Sequence, residues 1–285
     1  MSTRLCVPVR WMRRRARSLS LVAAGVLGAA IPPAWATEPV VIQVDAAADK
    51  PISPDLFGIF FEDINYAADG GLYAELVQNR SFEYRPTEQR GWNPLTSWEL
   101  VQRGGGRGAL HIDAGRPLHP NNPHYAVVDV QHVGGGVGVS NPGFDGIVVR
   151  KGAAYDLSLF VRQLYVERRW GGPPFGADDA FSLTAQLEDA AGAVLGQTTL
   201  SYSGTDWQRV AGEIVADADC DAARLVVLFS TQGGAAIDVV SLFPRETFRG
   251  RANGLRKDLA ETIAALAPKF VRFPGGCLVH GNGLP

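Results

Sequence analysis

Two short stretches place polar residues at the tips of apolar runs. In the first, Leu56-Phe57-Gly58-Ile59-Phe60-Phe61 runs into Glu62 and Asp63. In the second, Lys269-Phe270-Val271-Arg272-Phe273 closes on Pro274-Gly275-Gly276-Cys277. A carboxylate and a guanidinium delivered together can hydrogen-bond hydroxyl groups from both sides, the first accepting and the second donating. Parallel strands of α/β barrels present such groups at their carboxyl ends, where barrel sites are built. Asp63 adjoins Glu62, but neighbouring residues on a strand face opposite ways, so the two carboxylates do not form a working pair.

Each candidate also has a plainer role. Glu62 is either a ligand-binding acid at a barrel mouth or a solvated loop acid, as most glutamates are. Arg272 alternates with Val271 and Phe273 in a strand expected to be buried on both faces, so it needs an acid or ligand oxygens. That acid is Glu62 or one supplied from elsewhere. Gly275-Gly276 lets the backbone turn sharply near a ligand, and Cys277 then either touches a hydroxyl or packs. No histidine has the spacing to activate Cys277 as a nucleophile, and His280 and Asn282 read as exit-loop residues. His111, His119, His124 and His132 lack metal-ligand spacing, so no metal and no cofactor is expected.

The elements that must position these groups differ in texture. Phe57–Glu62 reads as a strand, and Gly70–Val77 as a loop entering a short helix. From about Trp92 to Phe243 the segments are short, alternating and punctuated by glycine, among them 125–130, 155–162, 181–187 and 236–242. Seven or eight such strands predict a β-sandwich. Trp98, Tyr125, Tyr155, Tyr202 and Trp207 either make a stacking platform there or fill its core, and the core is favoured, for Trp207 in particular. After Pro244, Leu255, Leu259, Ile263 and Leu266 fall at helical spacing, Pro268 stops the helix, and the Phe270 strand follows. The order is a βαβ unit split by a guest domain, with segments 37–90, 91–245 and 246–285.

Residues 1–36 read as an export signal. Arg13, Arg14, Arg15 and Arg17 precede the apolar run 19–31, and Ala34-Trp35-Ala36 fits a cleavage site. The run is too short for a comfortable span of about 20 residues. Removing six arginines from 27 basic residues leaves 21 against 29 acids, a net charge of −8. No basic patch argues for nucleic acid, and a secreted or periplasmic protein with no membrane partner is expected. Cys6 leaves with the signal, and Cys220 and Cys277 are expected to be free thiols.

Three motifs, Ile52–Ile64, Gly71–Glu83 and Val271–Cys277, resemble in sequence and order the N-terminal part of α-L-arabinofuranosidases of glycoside hydrolase family 51. The resemblance implies an α/β plus all-β fold. Its first part is an incomplete TIM (β/α)8 barrel start, split by an inserted jelly-roll β-sandwich of the carbohydrate-binding-module kind. It also implies a retaining glycosidase acting on arabinoxylan, arabinan or their oligosaccharides, with homo-oligomers common among relatives. Glu62 then binds sugar hydroxyls, Arg272 supports the site and Cys277 lines the sugar pocket. Retention needs two carboxylates about 5 Å apart, and in the family both lie on later strands, so no residue of this chain is expected to be nucleophile or acid/base. The packing partner of a strand over Val40–Asp45 is implied to lie elsewhere too. A rival reading is a non-catalytic carbohydrate-binding protein, and the reading frame past the Pro285 codon distinguishes the two.

Overall fold

The computed structural model describes residues 42, 50–166 and 179–276. The chain divides into two compact units, Met1–Pro51 and Ile52–Pro285, and the elements below belong to the second. The expected signal, nearly all of the Val40–Asp45 strand, and Cys277, His280 and Asn282 lie outside the described residues.

Eleven strands build two antiparallel sheets. The first has the order β10 (Gln208–Val215), β7 (Ala154–Val166), β12 (Gly233–Pro244), β4 (Tyr125–His132), β3 (Arg107–Asp113). The second runs β2 (Glu99–Arg103), β5 (Gly136–Asn141), β11 (Cys220–Phe229), β8 (Ala180–Glu188), β9 (Val194–Ser203), with β6 (Ile147–Val149) also on β11. Alternation explains why they pack. Leu157, Leu159 and Val161 on β7, Leu183, Ala185 and Leu187 on β8, and Leu225 and Val227 on β11 share one buried core. Successive strand residues face opposite ways, so each sheet gives one apolar face to the other. Each large side chain so buried contributes about 1.5–3 kcal/mol. The core also takes in Val77 and Phe82, which precede Trp92 in the chain, and Phe82 lies against Trp98 with ring centroids 5.1 Å apart.

Trp98, Tyr155 and Tyr202 fill this core. Trp207 does not. With Leu164 it is partly buried against a second, smaller cluster of Tyr125, Val127 and Ala236. These residues alternate with the core residues Ala126 and Val128 and so lie on the other face of the first sheet. There the Arg162 guanidinium sits 5.3 Å from the Tyr125 ring centroid and 5.0 Å from that of Trp207.

The remaining elements form the expected strand–helix–strand unit. From β12 the chain passes through a 3-10 turn, Phe248–Gly250, into α1 (Lys257–Ala265) and then β13 (Val271–Arg272). β13 pairs in parallel with β1 (Ile59–Phe60), Ile59 opposite Val271 and Phe60 opposite Arg272. The ladder extends through Ile59 N to Phe270 O (2.9 Å), Phe61 N to Arg272 O (3.0 Å) and Lys269 N to Phe57 O (2.9 Å).

Gly70–Val77 contains no helix. The Glu75 carboxylate accepts from the N–H groups of Leu76 and Val77, both at 3.0 Å, a local alternative to helical carbonyls. The segment instead docks on β12, where Leu76 N donates to Leu242 O at 2.9 Å.

Candidate functional site

The parallel register decides what meets at the strand tips. Glu62 follows β1 and Gly275 follows β13, and their residues touch. A Cβ built on Gly275 would lie 2.3 Å from the Glu62 Cβ, and Gly275 has φ +104, so a side chain is excluded there on two counts. Gly58 is required for a similar reason, since a Cβ there would fall 2.5 Å from the Phe270 ring. Phe61 and Phe273 stack at 6.0 Å. The two motifs, more than 200 residues apart in the chain, thus form one local structure, with a half-buried carboxylate against a glycine turn.

Arg272 is not where it was expected. Its strand is exposed rather than buried on both faces: Phe60 is 52%, Val271 59% and Phe273 69% exposed. Among the described residues β1 and β13 have only each other as ladder partners, and two strands cannot bury their own faces. Arg272 also forms no ion pair with Glu62. The register sets it beside Phe60, and its guanidinium carbon lies 5.1 Å from that ring's centroid, a cation–π contact. Cys277 lies outside the described residues, so its pocket role rests on resemblance alone.

The structure adds carboxylates that the strand-tip motifs do not signal. Glu75, 2% exposed, accepts hydrogen bonds from Leu76 N, Val77 N, Leu242 N (2.9 Å), Ser241 Oγ and Arg80 Nη1 (3.3 Å). Burial raises its pKa, against the pull of these donors. Asp238, fully buried at a bulge of β12, accepts from Asn122 Nδ2 at 2.8 Å and from Val239 N at 2.7 Å. Burial, with the charge of Glu83 adding to it, pushes its pKa up to about 7. Glu83 itself holds His124 through backbone N (2.8 Å) and Nδ1 (2.7 Å). The bulge holds Val239 at φ 47, a strained value for a β-branched residue, and Val240 N donates to Arg80 O at 2.9 Å. The one sequence signal for Glu75 and Asp238 is their placement inside apolar runs, Ala74-Glu75-Leu76 and Ile237-Asp238-Val239.

Among the described residues no group of three or more histidines, cysteines and acids is placed to hold a metal ion, and no helix is long and apolar enough to cross a membrane. Cys220 is a free thiol.

No family model matches the chain. Curated proteins do. It is 43% identical over 278 residues to an extracellular exo-α-L-arabinofuranosidase of Streptomyces chartreusis, a match spanning 97% of this chain and 30% of that protein. It is 34% identical over 257 residues to α-L-arabinofuranosidase 1 of Arabidopsis thaliana, across 86% of this chain and 35% of the relative. Among solved structures, an arabinose-bound family 51 α-L-arabinofuranosidase matches with a TM-score of 0.64 at 33% identity, covering 78% of this chain and 34% of that one. The chain therefore corresponds to the N-terminal part of a glycoside hydrolase family 51 protein, and spans about a third of the length of the curated relatives it matches.

Proposed function

We propose that this chain contributes the first two strands of a TIM-barrel active site, with a jelly-roll carbohydrate-binding-module-like insertion, to an exported retaining α-L-arabinofuranosidase. The observation that carries it is the parallel β1–β13 register, which seats Glu62 against Gly275 at the carboxyl ends of two neighbouring strands. Barrel enzymes assemble their sites at that end. The exposed apolar faces of Phe57, Phe60, Phe270, Val271 and Phe273 suit further barrel strands and helices packing there. The names of the relatives supply the reaction, the release of terminal arabinofuranose, and the extracellular relative supports export through residues 1–36.

In this reading Glu62 accepts hydrogen bonds from arabinose hydroxyls, Arg272 donates to or supports the site, and Cys277 lines the pocket. The nucleophile and acid/base come from the part of the relatives' length that this chain does not span. Substrates are arabinoxylan, arabinan or their oligosaccharides, with no cofactor. The test is made in a protein extended to the relatives' length. Each charge-assisted hydrogen bond contributes about 1.5–3 kcal/mol, so Glu62→Ala lowers kcat/KM by about ten- to a hundredfold or more. Azide leaves it unrescued, because Glu62 is not the nucleophile. Azide rescue with formation of an azido-sugar would overturn the assignment.

A further inference from the structure

The chain leaves Glu62 through a tight turn. Ile64 N donates to Glu62 O at 2.9 Å, Ala67 N donates to Ile64 O at 3.2 Å, and the Asp63 carboxylate closes the turn on Ala68 N at 2.8 Å. At its centre Asn65 and Tyr66 stand one after the other in the left-handed region, at φ 53 and φ 60. Asparagine tolerates that region, but a tyrosine is uncommon there and persists only where its surroundings over-determine it. Those surroundings belong to the sandwich.

Two contacts hold Tyr66. Its ring meets that of Phe144 edge to face, with centroids 5.2 Å apart and planes at 66°, a geometry that aromatic quadrupoles favour. Its hydroxyl accepts from Gln78 Nε2 at 3.1 Å. Both partners are fixed in their turn. Phe144 lies in the connection between β5 and β6, where the fully buried Asn141 accepts from Gly143 N at 2.8 Å and donates to Gln78 O at 2.9 Å. Gln78, buried in the segment docked on the sandwich, accepts from Ser97 Oγ at 2.7 Å. Gly70 lets the Phe144 ring lie directly on the backbone, since a Cβ there would fall 2.2 Å from it. The far end of the turn is tied by Leu72 N to Ala67 O at 2.8 Å. Glu62 is therefore gripped from two sides, by Gly275 after β13 and by a turn whose shape the sandwich dictates.

We propose that Tyr66 and Phe144 are positioning residues for Glu62, so that the inserted sandwich forms part of the site by fixing the turn that carries this carboxylate. What Glu62 does for a substrate rests on the function proposed above, but the clamp on its turn does not. The clamp is tested in the 285-residue chain by amide hydrogen exchange. Phe144→Ala should speed exchange at Ala67, Ala68 and Leu72 by about tenfold, through the loss of one aromatic pair and its packing, and leave β8 and β11 unchanged. Phe144→Tyr keeps the ring and should leave both unchanged. No acceleration at the turn, or equal acceleration throughout the sandwich, overturns the proposal.

The positioning role is tested by a double-variant cycle in a protein extended to the relatives' length. Phe144→Ala should lower kcat/KM on an aryl α-L-arabinofuranoside by about tenfold, as misplacement of a binding group does, and Phe144→Tyr should stay within about twofold of the parent. In a Glu62→Ala background the same Phe144→Ala change should cost less than about twofold, because the group it positions is gone. A purely structural role would carry its full loss into that background. The full tenfold loss there, or no loss where Glu62 is present, overturns the proposal. Failure of the arabinofuranosidase reading shows separately: Glu62→Ala alone then leaves kcat/KM unchanged, while the exchange result stands.

Discussion

Glu75 fastens the chain leaving β1 to the sandwich, and removing it should loosen both. In Glu75→Ala five donors lose their acceptor. Three of them have alternatives. Leu76 N also reaches Leu242 O at 2.9 Å, Ser241 can rotate, and Arg80, 40% exposed, can turn to water. Val77 N and Leu242 N are left as fixed, buried donors, each costing about 1–3 kcal/mol. With the lost charge-assisted bonds, the loss should be about 3–5 kcal/mol, the usual size for removing one side of a buried charged network. At about 2–4 °C per kcal/mol for a domain of this size, Tm falls by about 10 °C. Glu75→Gln keeps the shape and one accepting oxygen and should cost about 1–2 kcal/mol. Arg80→Ala removes a partly exposed partner and should cost under about 1 kcal/mol. Urea unfolding of the 285-residue chain measures all three, and limited proteolysis between residues 63 and 90 should accelerate in Glu75→Ala alone. A loss below about 1 kcal/mol in Glu75→Ala would refute the view that this carboxylate fastens the two parts.

Three further outcomes can be checked. Asp238, with its pKa pushed up to about 7, is protonated in the fold at pH values where the unfolded chain, near 3.9, is already ionised. Stability should therefore fall as pH rises from about 4 to 7, by at most about 4 kcal/mol, and the difference from Asp238→Asn should become constant below pH 4; a difference that is the same at pH 4 and pH 7 refutes this. Because Val77 and Phe82 belong to the sandwich core, a piece spanning 74–245 should melt cooperatively and one spanning 91–245 should melt lower and more broadly, which differential scanning calorimetry would show; equal melts would place the boundary at 91. The 285-residue chain should not hydrolyse an aryl α-L-arabinofuranoside, and turnover above that of Glu62→Gln would mean the catalytic carboxylates lie within it.

Local pattern carried much of this protein. Apolar runs ending in Glu62 and in Arg272-Phe273-Pro274-Gly275-Gly276 marked two strand tips, and the helical spacing of Leu255, Leu259 and Ile263 marked the element between them. Period-two alternation marked β4, β7, β8 and β11, because a face packed on another sheet must be apolar at every second residue. Strands lacking that signal escaped. β5 carries Gly136 and Gly138 and is buried throughout, while β9 displays Gln197, Thr198 and Thr199, polar residues that a sheet edge tolerates. What only the tertiary structure decided are relations between distant segments. The β1–β13 register put Gly275 on Glu62 and Arg272 over Phe60 rather than on Glu62. The docking of residues 74–82 on β12 gave Glu75 its donors and drew Phe82 into the sandwich, and the face of β4 on which Tyr125 falls drew Trp207 out of the main core. A carboxylate's role depends on which donors reach it, and a strand's burial on how many layers cover it. Both are set by segments far away in the chain, so no window of local sequence contains them.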